Sequence, residues 1–300
     1  MNTPILFLIF NREDTTQRVF EAIRRQKPKY LFVAADGPRA DKAGEAERCQ
    51  RVRDIIQVDW DCELKTLYRK ENLGCKTAVS EAITWFFDQV EQGVILEDDC
   101  LPDPSFFPYC EELLERYKDD DRVGCINGNC FLPGVIHEDL SYDFCSVAHI
   151  WGWASWRRVW KNYDVKLPFW EVVRQDKNLR KSFFKYKQEE IYFSSFISDT
   201  LKEGKGINTW DVQYLYTLRI QNQLSVYPAV NLVTNIGVSA VDATHTVSKK
   251  AAKSCIASQP IAFPLKHPQS FFPNRTIDDI TFKKRFFSYK RIVRYFLKLY

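Results

Sequence analysis

Gly93–Phe107 reads GVILEDDCLPDPSFF. An apolar run stops against three consecutive carboxylates, then turns through two prolines into aromatics. Val94, Ile95 and Leu96 suit a strand buried on both faces. Glu97, Asp98 and Asp99 would repel one another if buried together without a partner. The triplet is therefore either a solvated turn or a place where a cation sits, and the surrounding sequence decides between them.

Upstream, Ile5–Phe10 reads as another buried strand. Asp14 or Thr15 can cap the helix that follows, whose apolar positions Val19, Phe20 and Ile23 share one face. Lys27–Pro28 closes that helix, and Leu31–Ala35 forms a second strand that stops at Asp36–Gly37. This is a β-α-β unit, normally a right-handed parallel crossover. A third strand near Leu64–Tyr68 and a helix from about Lys76 to Val90 lead back to the Val94–Leu96 strand. The alternation predicts an α/β fold with an open, mostly parallel sheet flanked by helices. Ligands gather at the carboxyl ends of such strands. Three strands then aim Asn11 and Arg12, Asp36 and Gly37, and the acidic triplet at one edge. A chance turn does not need this coincidence, so the cation reading is preferred.

Past Arg122 the pattern is less regular. Val123–Ile126 is a strand candidate, followed by a loop with Asn127, Gly128 and Asn129. HIWGWASWRRVW, from His149 to Trp160, holds four of the eight tryptophans. Residues 171–203 are charged with a helical pattern. Asn208–Thr209–Trp210–Asp211 looks like a helix start, and later strands fall around Leu224–Tyr227 and Asn231–Val233. No internal repeat or low-complexity linker divides residues 1–282, which read as one domain.

Composition narrows the partners. A net charge of +4 over 300 residues is too small to argue for nucleic acid. The nine cysteines have no zinc-like spacing and read as reduced cytosolic thiols, which predicts a cytoplasmic protein. The N-terminal apolar run lacks a basic leader and a cleavage site, and no stretch approaches the roughly 20 apolar residues of a membrane span.

An acidic triplet at a strand end suits a hard divalent cation. Mg²⁺ or Mn²⁺ often takes one or two carboxylates while waters and substrate phosphates complete the shell. Such an ion neutralises charge on a departing diphosphate.

The ordered motifs ILFLIFNR, LFVAADG, YRKENLGCKTA, GVILEDDCLPDPSFFPY, WGWASW and TWDVQ, spread from about residue 5 to 247, resemble GT-A-fold glycosyltransferases. The nearest likeness is to the inverting N-acetylglucosaminyltransferase I family, as a bacterial-type cytosolic relative. The resemblance implies a donor-binding half over about 1–130 and an acceptor-side half over about 131–282. It implies that Asn11, Arg12 and Asp36 bind the donor, with Arg12 and Asp36 on base or ribose, favouring a UDP-sugar. Asn72 and Gly74 would pass close to the nucleotide. Asp99 would ligate the metal directly, with Glu97 and Asp98 on sugar or ribose hydroxyls. Asp211 matches the carboxylate that takes the proton from the acceptor hydroxyl, although a helix cap alone would also explain it. His245 would complete the metal shell by likeness to the broader fold group, and Gly237–Thr246 suits a loop that orders over the donor.

Trp151, Trp153 and Trp210 are candidates for acceptor-side contacts with sugar, whereas Trp156 and Trp160 read as core. Lys283–Tyr300 carries seven Lys or Arg and no acid. At helical spacing Phe286, Tyr289, Val293, Phe296, Leu297 and Tyr300 fall on one side, and Arg291, Arg294 and Lys298 on another. That pattern suits a basic amphipathic helix over 283–300, lying on an anionic membrane or docked on the domain with its basic face solvated. The expectation is a metal-dependent glycosyltransferase using a nucleotide diphospho-sugar and a glycan or lipid-linked glycan acceptor, at the inner face of the plasma membrane. A sugar-nucleotide pyrophosphorylase is the first rival, but such enzymes usually place a glycine-rich loop after the first strand, and FNREDTT has none. A metal-dependent hydrolase and a lytic protein acting through the basic C-terminal stretch are the others.

Overall fold

Runs of Ile, Leu, Val and Phe with no polar side must be covered on both faces. In the computed structural model they form β1 (Ile5–Ile9), β2 (Tyr30–Ala35) and β4 (Gln92–Glu97), with β3 (Glu63–Tyr68) beside β2. The structure describes residues 1–184, 186–202, 206–237, 256–285 and 288–297. β1 pairs in parallel with β2 on one side and β4 on the other, and β2 pairs in parallel with β3. The connecting helices are α1 (Glu13–Gln26), α2 (Glu45–Asp54) and α3 (Gly74–Phe87). α1 starts before the expected caps Asp14 and Thr15; Arg12 holds the cap position and makes no side-chain cap bond. The chain winds outward from β1 to β3, and α3 then returns it to the far side of β1. That reversal opens a crevice at the carboxyl ends of β1 and β4.

The second half extends the same sheet. β5 (Cys100–Pro102), α4 (Phe106–Arg116), β6 (Val123–Asn127), β7 (Tyr142–Cys145) and β8 (Trp153–Trp156) follow in order. Next come α5 (Arg157–Trp160), α6 (Trp170–Gln175), α7 (Lys177–Phe183), α8 (Lys187–Leu201), α9 (Asp211–Ile220), β9 (Leu224–Pro228) and β10 (Val233–Asn235). The eight-stranded sheet has the order β3-β2-β1-β4-β8-β6-β9-β7. β8 is antiparallel to β4 and β6, and β7 to β9, while the remaining strands share one direction. The α/β fold with a mostly parallel sheet is as expected. β10 starts later than the expected strand at Asn231. It leaves the main sheet to pair with β5, setting Asn235 opposite Cys100, and so brings the chain across the acidic turn.

One buried cluster runs from Ile5 through Trp153 and Trp210 to Phe282. α8 and α9 meet α10 (Arg275–Ile280) around buried charge: Arg219 pairs with Glu189, and the Asp278 carboxylate accepts from Ser146 N–H at 2.8 Å.

The C-terminal segment departs from the expected single helix over 283–300. Thr281–Arg285 is a π-helical turn continuing α10, and α11 covers Tyr289–Phe296. α11 docks on α8 through its basic side. Arg294 donates to both Asp199 oxygens at 2.8 and 2.6 Å, Lys187 Nζ donates to Tyr295 Oη at 2.6 Å, and the Arg291 guanidinium lies over the Tyr192 and Phe196 rings. Tyr289, Val293, Phe296 and Leu297 are exposed, Phe296 by 67%. A docked helix with its basic face in water is thus corrected to one with its apolar face outward, because α8 supplies a carboxylate and two rings for the arginines. Phe286, Lys298 and Tyr300 lie outside the described residues. No helix among the described residues is long and apolar enough to cross a membrane.

Candidate functional site

At the crevice, β1 releases Phe10, Asn11 and Arg12 while β4 releases Glu97, Asp98 and Asp99. Adjacent parallel strands, with Leu8 level with Glu97, bring the two ends together. Arg12 forks across the gap: Nη2 bonds Asp98 Oδ1, and Nη1 donates to Asp99 Oδ2 at 2.9 Å. Three carboxyl groups share one guanidinium, so at least one must hold a proton or meet a further cation. Asp98 is 3% exposed. Asp98 Oδ2 and Glu97 Oε1 are buried without a hydrogen-bond partner. Burial raises the pKa of Glu97, and the Asp99 and Asp98 charges add to it. Burial also raises that of Asp98, against the pull of Arg12.

No group of three or more His, Cys, Asp or Glu among the described residues could enclose a metal. The carboxylates nonetheless fit a cation whose shell is finished by water and phosphate, because orphaned hard acceptors in a negative, buried place are what such an ion satisfies. His245 and most of the Gly237–Thr246 loop lie outside the described residues. Gly237 itself sits over the ion pair. A Cβ there would fall 2.4 Å from Asp99 Oδ2 and 2.6 Å from Arg12 Nη1, so only glycine lets the backbone pass this close.

Asp36 and Asn72 are bonded to each other and to the chain around them. Asp36 Oδ1 accepts from Gly37 N–H at 2.8 Å and Leu73 N–H at 3.0 Å. Its Oδ2 accepts from Asn72 Nδ2 at 2.9 Å and Gly74 N–H at 3.0 Å. A carboxylate offers about four acceptor positions, so Asp36 has none left for a ribose. Gly37 is packed on the Glu71 backbone, where a Cβ would fall 2.4 Å from Glu71 C. The outcome is a rigid staple between the ends of β2 and β3. Asn11 donates from Nδ2 to Glu45 Oε1 at 2.9 Å. Glu45 is fully buried and is pulled to a pKa of about 2 by Arg39.

The staple also settles the start of α3. Gly74 has a positive φ of 77°, and Asp36 takes its N–H. The next turn is held by Asn208, whose Oδ1 accepts from Lys76 N–H at 2.8 Å. These first-turn amides are already satisfied, so they are not offered to a phosphate, unlike those of a phosphate-binding helix start. Neither Asn208 nor Glu45 was picked out from the sequence, since their partners lie far away along the chain. The only local signal at Asn208 is a polar residue ahead of a helix, and it caps a different helix from the one it precedes.

Asp211 opens α9, with Oδ1 accepting from the Thr209 hydroxyl and from Val212 N–H at 2.9 Å. Its charge acts on both Glu97 and Cys75, and Asn208, three residues earlier, is bonded to Lys76 at the start of α3. Burial, then Glu97 and Asp211, push the Cys75 thiol up to about 12, so that cysteine stays a thiol.

The tryptophans require a correction. Trp153 is 0% exposed and stacks with Trp210, itself buried, at 5.8 Å between centroids. Neither offers a ring face to a sugar, because the start of α9 packs directly on β8. Trp156 and Trp160 are core, as expected. Trp151 is half-buried against Phe131. A cleft of about 730 Å³ beside Tyr186, Phe272 and Arg275 contains none of these site residues. Its walls lack the paired carboxylates, so the crevice is the chemically equipped place.

No family model matches the sequence, and no curated protein matches it. Among solved structures, the chain is similar to the mannosyltransferase PcManGT from Pyrobaculum calidifontis in complex with GDP-Man and Mn²⁺. That likeness is at 14% identity and a TM-score of 0.39, over 73% of this chain and 70% of that one. It is also similar to apo UDP-glucose pyrophosphorylase, at 10% identity and a TM-score of 0.39, over 78% and 93%. HddC from Yersinia pseudotuberculosis follows at 13% identity and a TM-score of 0.32, over 54% and 80%. Likenesses this distant leave the chemistry of the crevice to be argued from its own residues.

Proposed function

We propose that this chain is a GT-A-type glycosyltransferase that moves a sugar from a nucleotide diphospho-sugar, a UDP-sugar by the sequence resemblance, to a hydroxyl with inversion. The observation that carries the reading is the acidic crevice at the reversal point of the sheet, with orphaned carboxylate oxygens on Glu97 and Asp98; Asp211 is proposed to face it. Asp99, with Asp98 beside it, would hold Mn²⁺ or Mg²⁺, and His245 is proposed as a further ligand. The ion, when bound, neutralises charge on the diphosphate as it leaves. Arg12 holds Asp98 and Asp99 in register, and the Asp36 staple keeps the β2 edge rigid. Asp211 takes the proton as the acceptor oxygen bonds to the sugar's anomeric carbon. The bond from that carbon to the diphosphate oxygen breaks, and its electron pair leaves with the diphosphate. The pyrophosphorylase rival gains no support from the β1 turn, which lacks glycine and is committed to an ion pair.

The test is a thermal-shift screen with nucleoside diphosphates and diphospho-sugars, with and without Mn²⁺, on wild type and Asp99→Ala. A ligand at 100 times its dissociation constant stabilises the fold by about 2.7 kcal/mol, a rise of roughly a few degrees in Tm. The expected shift needs Mn²⁺ and Asp99 together. Absence of a shift with every nucleotide would defeat the proposal.

The acceptor is proposed to be a glycan or lipid-linked glycan, met at an anionic bilayer on which α11 lies. The outward Tyr289, Val293, Phe296 and Leu297 and the acid-free 283–300 stretch suit that surface. Co-sedimentation with phosphatidylglycerol vesicles should fall at least several-fold in Phe296→Ser with Leu297→Ser. Equal binding by this variant would remove the membrane from the proposal.

A further inference from the structure

Asn208 is exposed, yet it is clamped between two parts of the crevice. Its Oδ1 accepts from Lys76 N–H on α3 at 2.8 Å, and its Nδ2 occupies the space where a Cβ on Gly74 would lie, 2.4 Å away. On one side, Gly74 is tied to Asp36 and through it to Gly37, Asn72 and Leu73. On the other side, Thr209 follows directly and donates its hydroxyl to Asp211, while Thr209 O accepts from Gln213 Nε2 at 3.0 Å. Hydrogen bonds and one close packing contact, that of Asn208 on Gly74, therefore link the end of β2, the start of α3 and the carboxylate at the start of α9.

A plain helix cap does not require this arrangement. Gly74 and Asn208 are far apart in sequence, and the contact exists only because Gly74 lacks a side chain. Reacting atoms must be held within a few tenths of an ångström, and a displacement of about 1 Å can cost roughly 100-fold in rate. We propose that Asn208 is a positioning residue that fixes Asp211 relative to the donor edge of the crevice. The inference rests on the reading of Asp211 as the base.

The experiment measures slow hydrolysis of the nucleotide diphospho-sugar that gives wild type its largest thermal shift, so no acceptor need be known. Asn208→Ala should lower kcat roughly 10- to 100-fold, with KM and the donor-induced Tm shift unchanged. Asn208→Asp keeps an acceptor for Lys76 N–H and should restore most of the rate. Gly74→Ala, which drives the Asn208 amide away, should reproduce the Asn208→Ala loss. A purely structural cap would lower Tm and leave kcat alone, and that result would overturn the inference while the functional proposal stood. Wild type that shows neither donor binding nor hydrolysis would overturn both.

Discussion

Asp211→Asn is expected to lower the turnover of donor by about 10²–10⁴-fold, the usual contribution of a positioned base. The substitution is nearly isosteric. An amide oxygen still accepts from the Thr209 hydroxyl and from Val212 N–H, so the start of α9 stays in place. What is lost is the ability to take up a proton at the moment the acceptor oxygen attacks. Binding of nucleotide with Mn²⁺ should be unchanged, because the donor contacts proposed here lie on β1 and β4. Steady-state kinetics beside a thermal-shift titration separates the two effects. Turnover within threefold of wild type would mean that the base is elsewhere and that Asp211 serves only its helix.

The largest effect on stability is expected at Arg219, remote from the crevice. Its side chain is 10% exposed and pairs with Glu189, which is fully buried. Asp278 is also fully buried, and its charge acts on the same guanidinium. Arg219→Met would take away the guanidinium that pairs with buried Glu189 and feels the charge of buried Asp278. Removing one partner of a buried pair costs about 3–5 kcal/mol, which for a chain of this size lowers Tm by roughly 5–8 °C. Adding Glu189→Leu should recover part of the loss, since an apolar side chain needs no counter-charge. Calorimetry on the single and double variants checks both statements. A single variant melting within about 2 °C of wild type would show that the pair contributes little.

The parallel half of the sheet was legible because its strands are covered on both faces. Ile5–Ile9, Tyr30–Ala35 and Gln92–Glu97 must be nearly continuous apolar runs, and such runs stand out. Meeting of the β1 and β4 ends was legible too, since a β-α-β order leaves few arrangements. β8 was not. Trp153–Trp156 carries no alternation, and its place between β4 and β6 depends on pairing with strands some 30 to 60 residues away. Aromatic richness around it suggested sugar-stacking surfaces, whereas Trp153 and Trp210 stack on each other. Composition reports that a ring is present and says nothing about what covers it.

The C-terminal helix divides in the same way. Its two-sided pattern is a local property and was readable, but its orientation was not. Arg291 and Arg294 turn inward because α8 presents Asp199, Tyr192 and Phe196 at the right places, and a helix cannot encode its neighbour's surface.

By itself the sequence determined the kind of sheet, the edge at which polar residues collect and the surplus of acid there. Only the tertiary structure decided which of those polar groups remain available. The acceptor positions of Asp36 are taken by Gly37, Asn72, Leu73 and Gly74, while Glu97 and Asp98 keep unsatisfied oxygens beside Arg12. The reason is that hydrogen-bond satisfaction is settled between segments: a strand end announces its donors and acceptors locally, and the partner that uses them arrives from elsewhere in the chain.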